Sequence, residues 1–201
     1  LSIKSLITLY SPEEVKSIHI ITPDSEVAEC TKLVSSLVAR NSQFHFKVSP
    51  ESKYIEYKDL RVIQEKFERR SGWVLQQFLK ISAVLNSYGH NILLLDADTI
   101  LLRRQEFILQ NGTQILMPSD EFNSEYYEFL DRLWGQNCPV EYSFVSHHLL
   151  VQKSLLVELM REIEVRTVGE LINKTLEFYS TETDSPFSID YELYSQYLIT
   201  Q

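Results

Sequence analysis

The stretch from Ser71 to Arg104, SGWVLQQFLKISAVLNSYGHNILLLDADTILLRR, decides the fold class that the sequence predicts. Its first half predicts a helix that begins at Ser71, a good N-cap residue, and ends at Gly89. Apolar residues recur along it at steps of four and three, so they form one stripe that faces a core. The stripe consists of Val74, Phe78, Ile81, Leu85 and Tyr88. A neighbouring face carries Trp73, Gln77 and Lys80, with Gln76 one turn before Lys80.

A short strand follows this helix and ends in two carboxylates. Residues 92–95 are a continuous apolar run, typical of a strand buried on both faces in a parallel sheet. Asp96 and Asp98 follow at once, and residues two apart in an extended segment share a face. Carboxylates this close repel each other, so a hard divalent ion, Mn²⁺ or Mg²⁺, is the expected partner. The alternative is that both are turn residues at a strand end, with Asp98 capping a helix.

The rest of the chain alternates predicted helices and strands. This order is typical of an α/β protein with a mostly parallel central sheet flanked by helices, and 201 residues predict a single domain over 1–201. We predict helices at 1–10, from Asp24, and at 123–134, 154–164 and 167–179, and a last helix capped by Ser188. We predict further strands at 17–22, 43–48, 114–118 and 142–151, and a loop at 181–186.

Composition excludes several classes of function. The net charge of −9 argues against a nucleic-acid partner, which requires a basic face. No apolar run is long enough to span a membrane, so we expect no transmembrane segment in this chain. Cys30 and Cys138 lie far apart and are expected to be free thiols. No signal peptide is evident, but the first residue is Leu1, so the sequence leaves the compartment open and favours the cytoplasm only slightly.

The Ser71–Arg104 stretch resembles the core of nucleotide-sugar glycosyltransferases of the GT-A fold. In that fold a D-x-D motif ends a central strand and holds the metal on the donor diphosphate, which matches Asp96-Ala97-Asp98. Fifteen residues separate Lys80 from Asp96. This spacing is similar to the glycogenin-like branch, in which a lysine at that offset contacts the sugar nucleotide.

The chain looks even more like a family of predicted bacterial-type glycosyltransferases that is catalogued as a domain of unknown function. The resemblance runs from about Ile18 onward and implies a GT-A (Rossmann-like) domain. A GT-A domain begins with one more strand than we find, so that strand would lie upstream of Leu1. The shared elements are Gly72-Trp73, Gln76-Gln77, Lys80, Asp96-Ala97-Asp98, an aromatic–histidine element over Phe144–His148, and Asp190-Tyr191-Glu192-Leu193-Tyr194.

The resemblance implies a metal-dependent glycosyltransferase that moves a sugar from a UDP-sugar or GDP-sugar, with UDP favoured, to a glycan or small-molecule acceptor. Asp96 and Asp98 would hold Mn²⁺ or Mg²⁺, and Asp190 would take the acceptor proton in an inverting reaction or position groups in a retaining one. His148 would contact the diphosphate or the metal. The donor side would be formed by Lys80, Gln76, Gln77, Trp73 and Asp96.

Each of these roles has an alternative. His148 could be a hydrogen-bonded structural histidine, and Asp190 could simply favour a helix N-terminus through the helix dipole. The alternative function is a nucleotide-sugar-binding protein of the same fold without turnover. A nucleotidyltransferase or a phosphohydrolase would need a Gly-rich loop or a denser carboxylate and histidine cluster, which the sequence lacks.

Overall fold

The computed structural model describes residues 1–39, 41–139, 142–179 and 187–201, so the predicted loop at 181–186 lies outside the described residues. The described residues contain both helices and strands, as predicted, but in place of the predicted mostly parallel central sheet they form one parallel and one separate antiparallel pair of strands. The chain divides into two compact units. The first contains residues 1–57 and 96–105, and the second contains residues 58–95 and 106–201. The prediction of a single domain over 1–201 stays a prediction.

The first unit contains the βαβ arrangement that the sequence predicts. Two strands pair in parallel, with Ile18 opposite Phe46, and a helix connects them. The prediction that Asp24 caps that helix is wrong. Its carboxylate instead accepts hydrogen bonds from the backbone N–H and the hydroxyl of Ser52. The elements are α1 (Ser2–Leu9), β1 (Ile18–Thr22), α2 (Val27–Val38) and β2 (Phe46–Pro50), with short 3₁₀ turns at Asp24–Glu26 and Glu51–Lys53.

The second unit holds most of the helices and an antiparallel pair of strands. Its elements are α3 (Tyr57–Phe67, which begins one residue before the unit), α4 (Ser71–Leu85), β3 (Asn91–Leu95), α5 (Ser124–Trp134), β4 (His148–Gln152), α6 (Lys153–Glu162), α7 (Val168–Phe178), a π-helical segment (Ile189–Leu193) and α8 (Tyr194–Ile199). β3 pairs antiparallel with β4, where the sequence predicted a parallel neighbour. An apolar run reports burial but not strand direction, and within β3 only Leu94 is fully buried.

Helix α4 lies at the centre of the second unit and contacts α6, α7 and the π-helical segment. Its predicted stripe is confirmed at Val74, Phe78 and Ile81, which are buried. The helix ends at Leu85, earlier than predicted, and Tyr88 beyond it is fully exposed. Ser71 continues from a 3₁₀ turn and does not cap the helix with its side chain.

Several predicted strand bounds and caps are wrong because local backbone geometry differs from the pattern. Residues 114–118 form no strand in the structure, since Gln114 makes only an isolated bridge to Ile108. The predicted strand at 142–151 begins only at His148, because His147 has a φ of 59° that interrupts extended backbone. Ser154 lies inside α6 and does not precede it.

Two predictions from composition are confirmed. No helix among the described residues is long and apolar enough to cross a bilayer. Cys30 and Cys138 are free thiols.

Gly72 and Gly169 offer a matched test of packing, since each is the second residue of a helix. A Cβ at Gly72 would have no atom within 4 Å, whereas a Cβ at Gly169 would lie 3.2 Å from Oδ2 of the buried Asp59. We expect Gly72→Ala to raise the free energy of unfolding by up to about 1 kcal/mol. We expect Gly169→Ala to lower it by about 1 kcal/mol, measured by urea denaturation. Equal gains in both variants would contradict this account.

Candidate functional site

The π-helical segment Ile189–Leu193 has the rarest backbone in the second unit. Single π-helical turns are frequent at functional sites. All five of its residues are buried, including Asp190, Tyr191 and Glu192. Ser188 occupies the N-cap position, but the prediction that its side chain caps the segment is wrong. Its hydroxyl donates instead to Oδ1 of Asp190 at 3.3 Å.

A buried ion pair joins this segment to α4. The Lys80 ammonium lies 2.8 Å from Oδ2 of Asp190, and their side chains are only 14% and 4% exposed. The same ammonium donates to the Tyr191 hydroxyl at 3.1 Å and lies 4.2 Å from the centre of its ring. Lys80 and Asp190 are 110 residues apart in the chain, so only the fold brings these two predicted site residues together.

Gln77 fixes the backbone that leads into the segment. Its side-chain Nε2 donates to the carbonyl of Phe187 at 3.2 Å, and its Oε1 accepts from the N–H of Ile189 at 2.9 Å. Gln77 is 1% exposed, and both ends of its amide are engaged. Its position therefore supports a role in holding this backbone, and its predicted contact with a donor would require these bonds to break.

The aromatic core of the second unit holds Phe187 in place. Its fully buried ring stacks on Phe129 at 4.8 Å between centres and lies 5.7 Å from the ring of Trp73. Trp73 in turn lies beneath the guanidinium of Arg70, at 4.7 Å. Trp73, Gln77 and Lys80 thus contact residues 187–191, which confirms that they share one face of α4. Gln76 is exposed.

Glu192 is a site residue that sequence reasoning quoted only as part of a motif. It is fully buried, and its Oε1 accepts from the hydroxyl of Ser143 at 2.6 Å and from the N–H of Phe144 at 2.8 Å. Its Oε2 makes no close hydrogen bond to another described residue, although the side chains of Tyr127 and Gln196 lie near enough to affect the carboxyl. The signal that could have found it is a second carboxylate two residues after Asp190, in a final helix rich in apolar and aromatic residues.

Burial controls the titration of this part of the site. It raises the pKa of Glu192, and the charge of Asp190 adds to the effect, while the hydrogen bonds from Ser143 and Phe144 oppose it. Burial also raises the pKa of Tyr127, and the charge of Glu192 raises it further. A carboxyl in this setting binds its proton more tightly than it would in water.

His148 is the first residue of β4 and is half-buried. Its Nδ1 lies 2.7 Å from the carbonyl of Ser146, and a carbonyl can only accept, so Nδ1 carries the proton. The lone pair of the neutral ring is therefore on Nε2, the usual arrangement in a metal-binding histidine. His148 pairs with Leu95, the residue that precedes Asp96 in the chain.

Asp96 and Asp98 lie in a turn of the first unit, not in extended backbone. The N–H of Thr99 donates to the carbonyl of Asp96 at 3.0 Å, so the expectation of a shared strand face does not apply here. Asp98 is exposed and Asp96 is half-buried, and no helix follows Asp98 for it to cap. Both therefore lie in a turn at the strand end, and this position does not decide between the metal-ligand and turn-residue interpretations of the sequence.

The protein ligands available to a metal at this turn are few. In the part of the chain that the structure describes, no group of three or more His, Cys, Asp or Glu side chains is placed to hold an ion. Mg²⁺ characteristically binds one or two carboxylates and takes its other ligands from water and substrate phosphates. Asp96 and Asp98 supply oxygen ligands of the type that such a hard ion prefers.

Comparison with known proteins gives a family without an activity. One family model matches residues 1–200, with the description "Family of unknown function (DUF6492)". No curated protein matches the chain. No solved structure matches it either.

Removing one partner of the Lys80–Asp190 pair tests how much the pair contributes to the free energy of unfolding. We expect Lys80→Met to lower the free energy of unfolding by about 3 kcal/mol, because it leaves the buried Asp190 charge without compensation. The double variant Lys80→Met/Asp190→Leu should lose less than the sum of the single variants. Arg61→Met, which breaks the exposed Arg61–Glu65 pair, is the control and should cost less than about 1 kcal/mol in urea denaturation. Equal losses for Lys80→Met and Arg61→Met would contradict a buried pair.

The variant Glu192→Gln tests whether the raised pKa of Glu192 makes the stability of the protein depend on pH. The folded pKa is raised above 4.5, so the folded protein keeps a proton that the unfolded chain releases, and stability falls as pH rises from about 4.5 through the folded pKa. Glu192→Gln should remove this loss, at about 1.4 kcal/mol per unit of pKa difference. Urea denaturation from pH 4.5 to 8 measures it, with the exposed Glu128→Gln as the control for removing a solvated carboxyl. A wild-type protein that gains stability over Glu192→Gln as pH rises would show that the sign is wrong.

Proposed function

The chain belongs to the DUF6492 family, whose description names no activity, and we propose that it is a nucleotide-sugar-dependent glycosyltransferase of the GT-A type. The observation that carries the proposal is the 2.8 Å contact between Lys80 and Asp190. The sequence assigned these residues to the donor and acceptor sides of one reaction on the basis of separate motifs. Their contact is what a shared site requires.

Asp190 is the group that would take the acceptor proton. A general base must lie within hydrogen-bonding reach of the hydroxyl that it deprotonates. Its Oδ2 faces Lys80 and its Oδ1 faces Ser188, so an acceptor hydroxyl would enter by displacing one of these two contacts. If the acceptor takes the place of Lys80, the released ammonium can turn to the donor diphosphate as a compact positive charge. A retaining reaction would leave Asp190 with a positioning role.

Asp96 and Asp98 are the residues that would hold Mn²⁺ or Mg²⁺. The ion, when bound, would neutralise charge on the departing diphosphate of a UDP-sugar or GDP-sugar. His148 would contact the diphosphate or the metal, and a neutral ring whose Nδ1 donates to Ser146 would present its Nε2 lone pair to a metal. The acceptor would be a glycan or another small hydroxyl compound.

The remaining residues predicted on the donor side fall into two groups, those that pack against residues 187–189 and one that is exposed. Trp73 and Gln77 hold the backbone at residues 187–189, so we assign them a positioning role. Gln76 is exposed on α4 and keeps its predicted contact with the donor. A GT-A arrangement of the whole chain is part of this proposal.

One observation favours a second candidate, a nucleotide-sugar-binding protein without turnover. Asp190 is 4% exposed and neutralised by Lys80, so a substrate hydroxyl would have to reach a buried and occupied carboxylate. A protein that only binds would have no need to open this contact.

Release of nucleoside diphosphate separates the two candidates. With UDP-sugars or GDP-sugars and Mn²⁺, we expect the purified protein to release UDP or GDP. Asp98→Asn and Asp190→Asn should each lower the rate by about 100-fold or more, comparable to the loss of one transition-state contact. Asp120→Asn, an exposed aspartate elsewhere in the chain, is the matched control and should retain activity.

The other outcomes of this experiment are also decisive. Thermal stabilisation by the nucleotide without any release would support the binding protein, since a ligand that binds only the folded state stabilises it. The absence of both release and stabilisation with every donor would overturn both candidates.

A further inference from the structure

The first unit carries a second polar group, which lies outside the site described above and which no family motif includes. We call it the His19 cluster, and it consists of His19, Lys47, Ser49, Lys53 and Tyr54. The parallel register sets His19 beside Lys47 and Ile21 beside Ser49 on β1 and β2. Because paired residues share a face, His19, Lys47 and Ser49 all lie on the same side of the strands.

The imidazole of His19 is held from two sides. Its Nε2 lies 2.9 Å from the hydroxyl of Ser49 and 2.9 Å from the hydroxyl of Tyr54. The rings of His19 and Tyr54 meet edge to face, with 5.5 Å between their centres. Ser49 is buried, while His19, Lys47 and Lys53 are exposed. The cluster is therefore organised at its base and open to solvent at its cationic end.

Positive charges are concentrated in the cluster without compensation. Contact with the Lys53 side chain, and then its charge, lowers the pKa of Lys47. Partial desolvation of the ring, followed by the charges of Lys47 and Lys53, lowers the pKa of His19 although the residue as a whole is exposed. Within the described ranges, neither lysine nor His19 has a carboxylate partner. In a chain with 28 acidic and 19 basic residues, such a concentration carries an electrostatic cost that a bound anion would remove.

We propose that the His19 cluster binds a phosphate group, carried by a soluble phosphomonoester or present as inorganic phosphate. A dianion between the two ammonium groups would replace their repulsion with two charge-assisted hydrogen bonds. Lysine serves phosphate as a compact point charge, and the hydrogen-bonded pair of His19 and Tyr54 supplies a further donor. The site does not depend on the proposed transferase activity.

A single phosphate group suits the cluster better than a polyanion. Two lysines fall short of the four to eight basic residues, roughly, that a lipid surface attracts, and the chain as a whole is acidic. A nucleic-acid backbone would require a basic stripe that the charge of −9 does not suggest.

Titration with inorganic phosphate, followed by NMR of the His19 imidazole in the full chain, tests the proposal. We expect a saturable shift and a rise in the pKa of His19, because the anion offsets the lysine charges. Lys47→Gln and Lys53→Gln should each weaken binding by about tenfold or more, as expected for loss of a hydrogen bond to a charged group. Lys32→Gln, an exposed lysine on α2, should change binding by less than about twofold.

Three outcomes would overturn the site. One is a response that does not saturate, and another is equal weakening in Lys47→Gln, Lys53→Gln and Lys32→Gln, which would indicate general screening. The third is binding to vesicles that contain phosphatidic acid without any response to inorganic phosphate or phenyl phosphate. Saturable binding of either soluble compound supports the proposal. If Lys47→Gln fails to fold, Lys53→Gln on the exposed turn and the His19 titration still decide.

Discussion

The ion pair between Lys80 and Asp190 is the interaction on which the candidate site depends, since a buried charge is tolerated only when its partner is held in place. On one side the central helix α4 supplies the lysine together with Gln77, which clamps the approaching backbone. On the other side the packed ring of Phe187 fixes where the π-helical segment begins. The geometry of the pair is thus set by the core and not by a surface loop.

The π-helical segment brings three polar side chains into the interior of the second unit. It places Asp190, Tyr191 and Glu192 in successive positions of one turn, and all three are buried. Asp190 meets a cation, whereas Oε1 of Glu192 meets the hydrogen-bond donors of Ser143 and Phe144. Glu192 also ties the segment to Ser143 and Phe144, a few residues before His148.

The first unit shows a different use of charge. Asp24, Glu26 and Glu51 interact near the strand ends, where burial and the two neighbouring charges raise the pKa of Glu51. The His19 cluster instead concentrates positive charge on one face of the same two strands. A chain that is acidic overall therefore still separates its charges by sign over a short distance, so net charge by itself says little about what a particular face can bind.

Local patterns in the sequence determined the positions of most helices, the βαβ order of the first unit, and the face of α4 that carries Trp73, Gln77 and Lys80. They did so because helical and strand periodicity depend only on residues a few positions apart. The antiparallel direction of β3 and the π-helical geometry at Ile189–Leu193 were not predictable in this way. Only the tertiary structure decided that Lys80 faces Asp190 and that Glu192 is buried against Ser143 and Phe144. These facts depend on packing between segments that are 110 residues apart in the first case and 48 or 49 residues apart in the second.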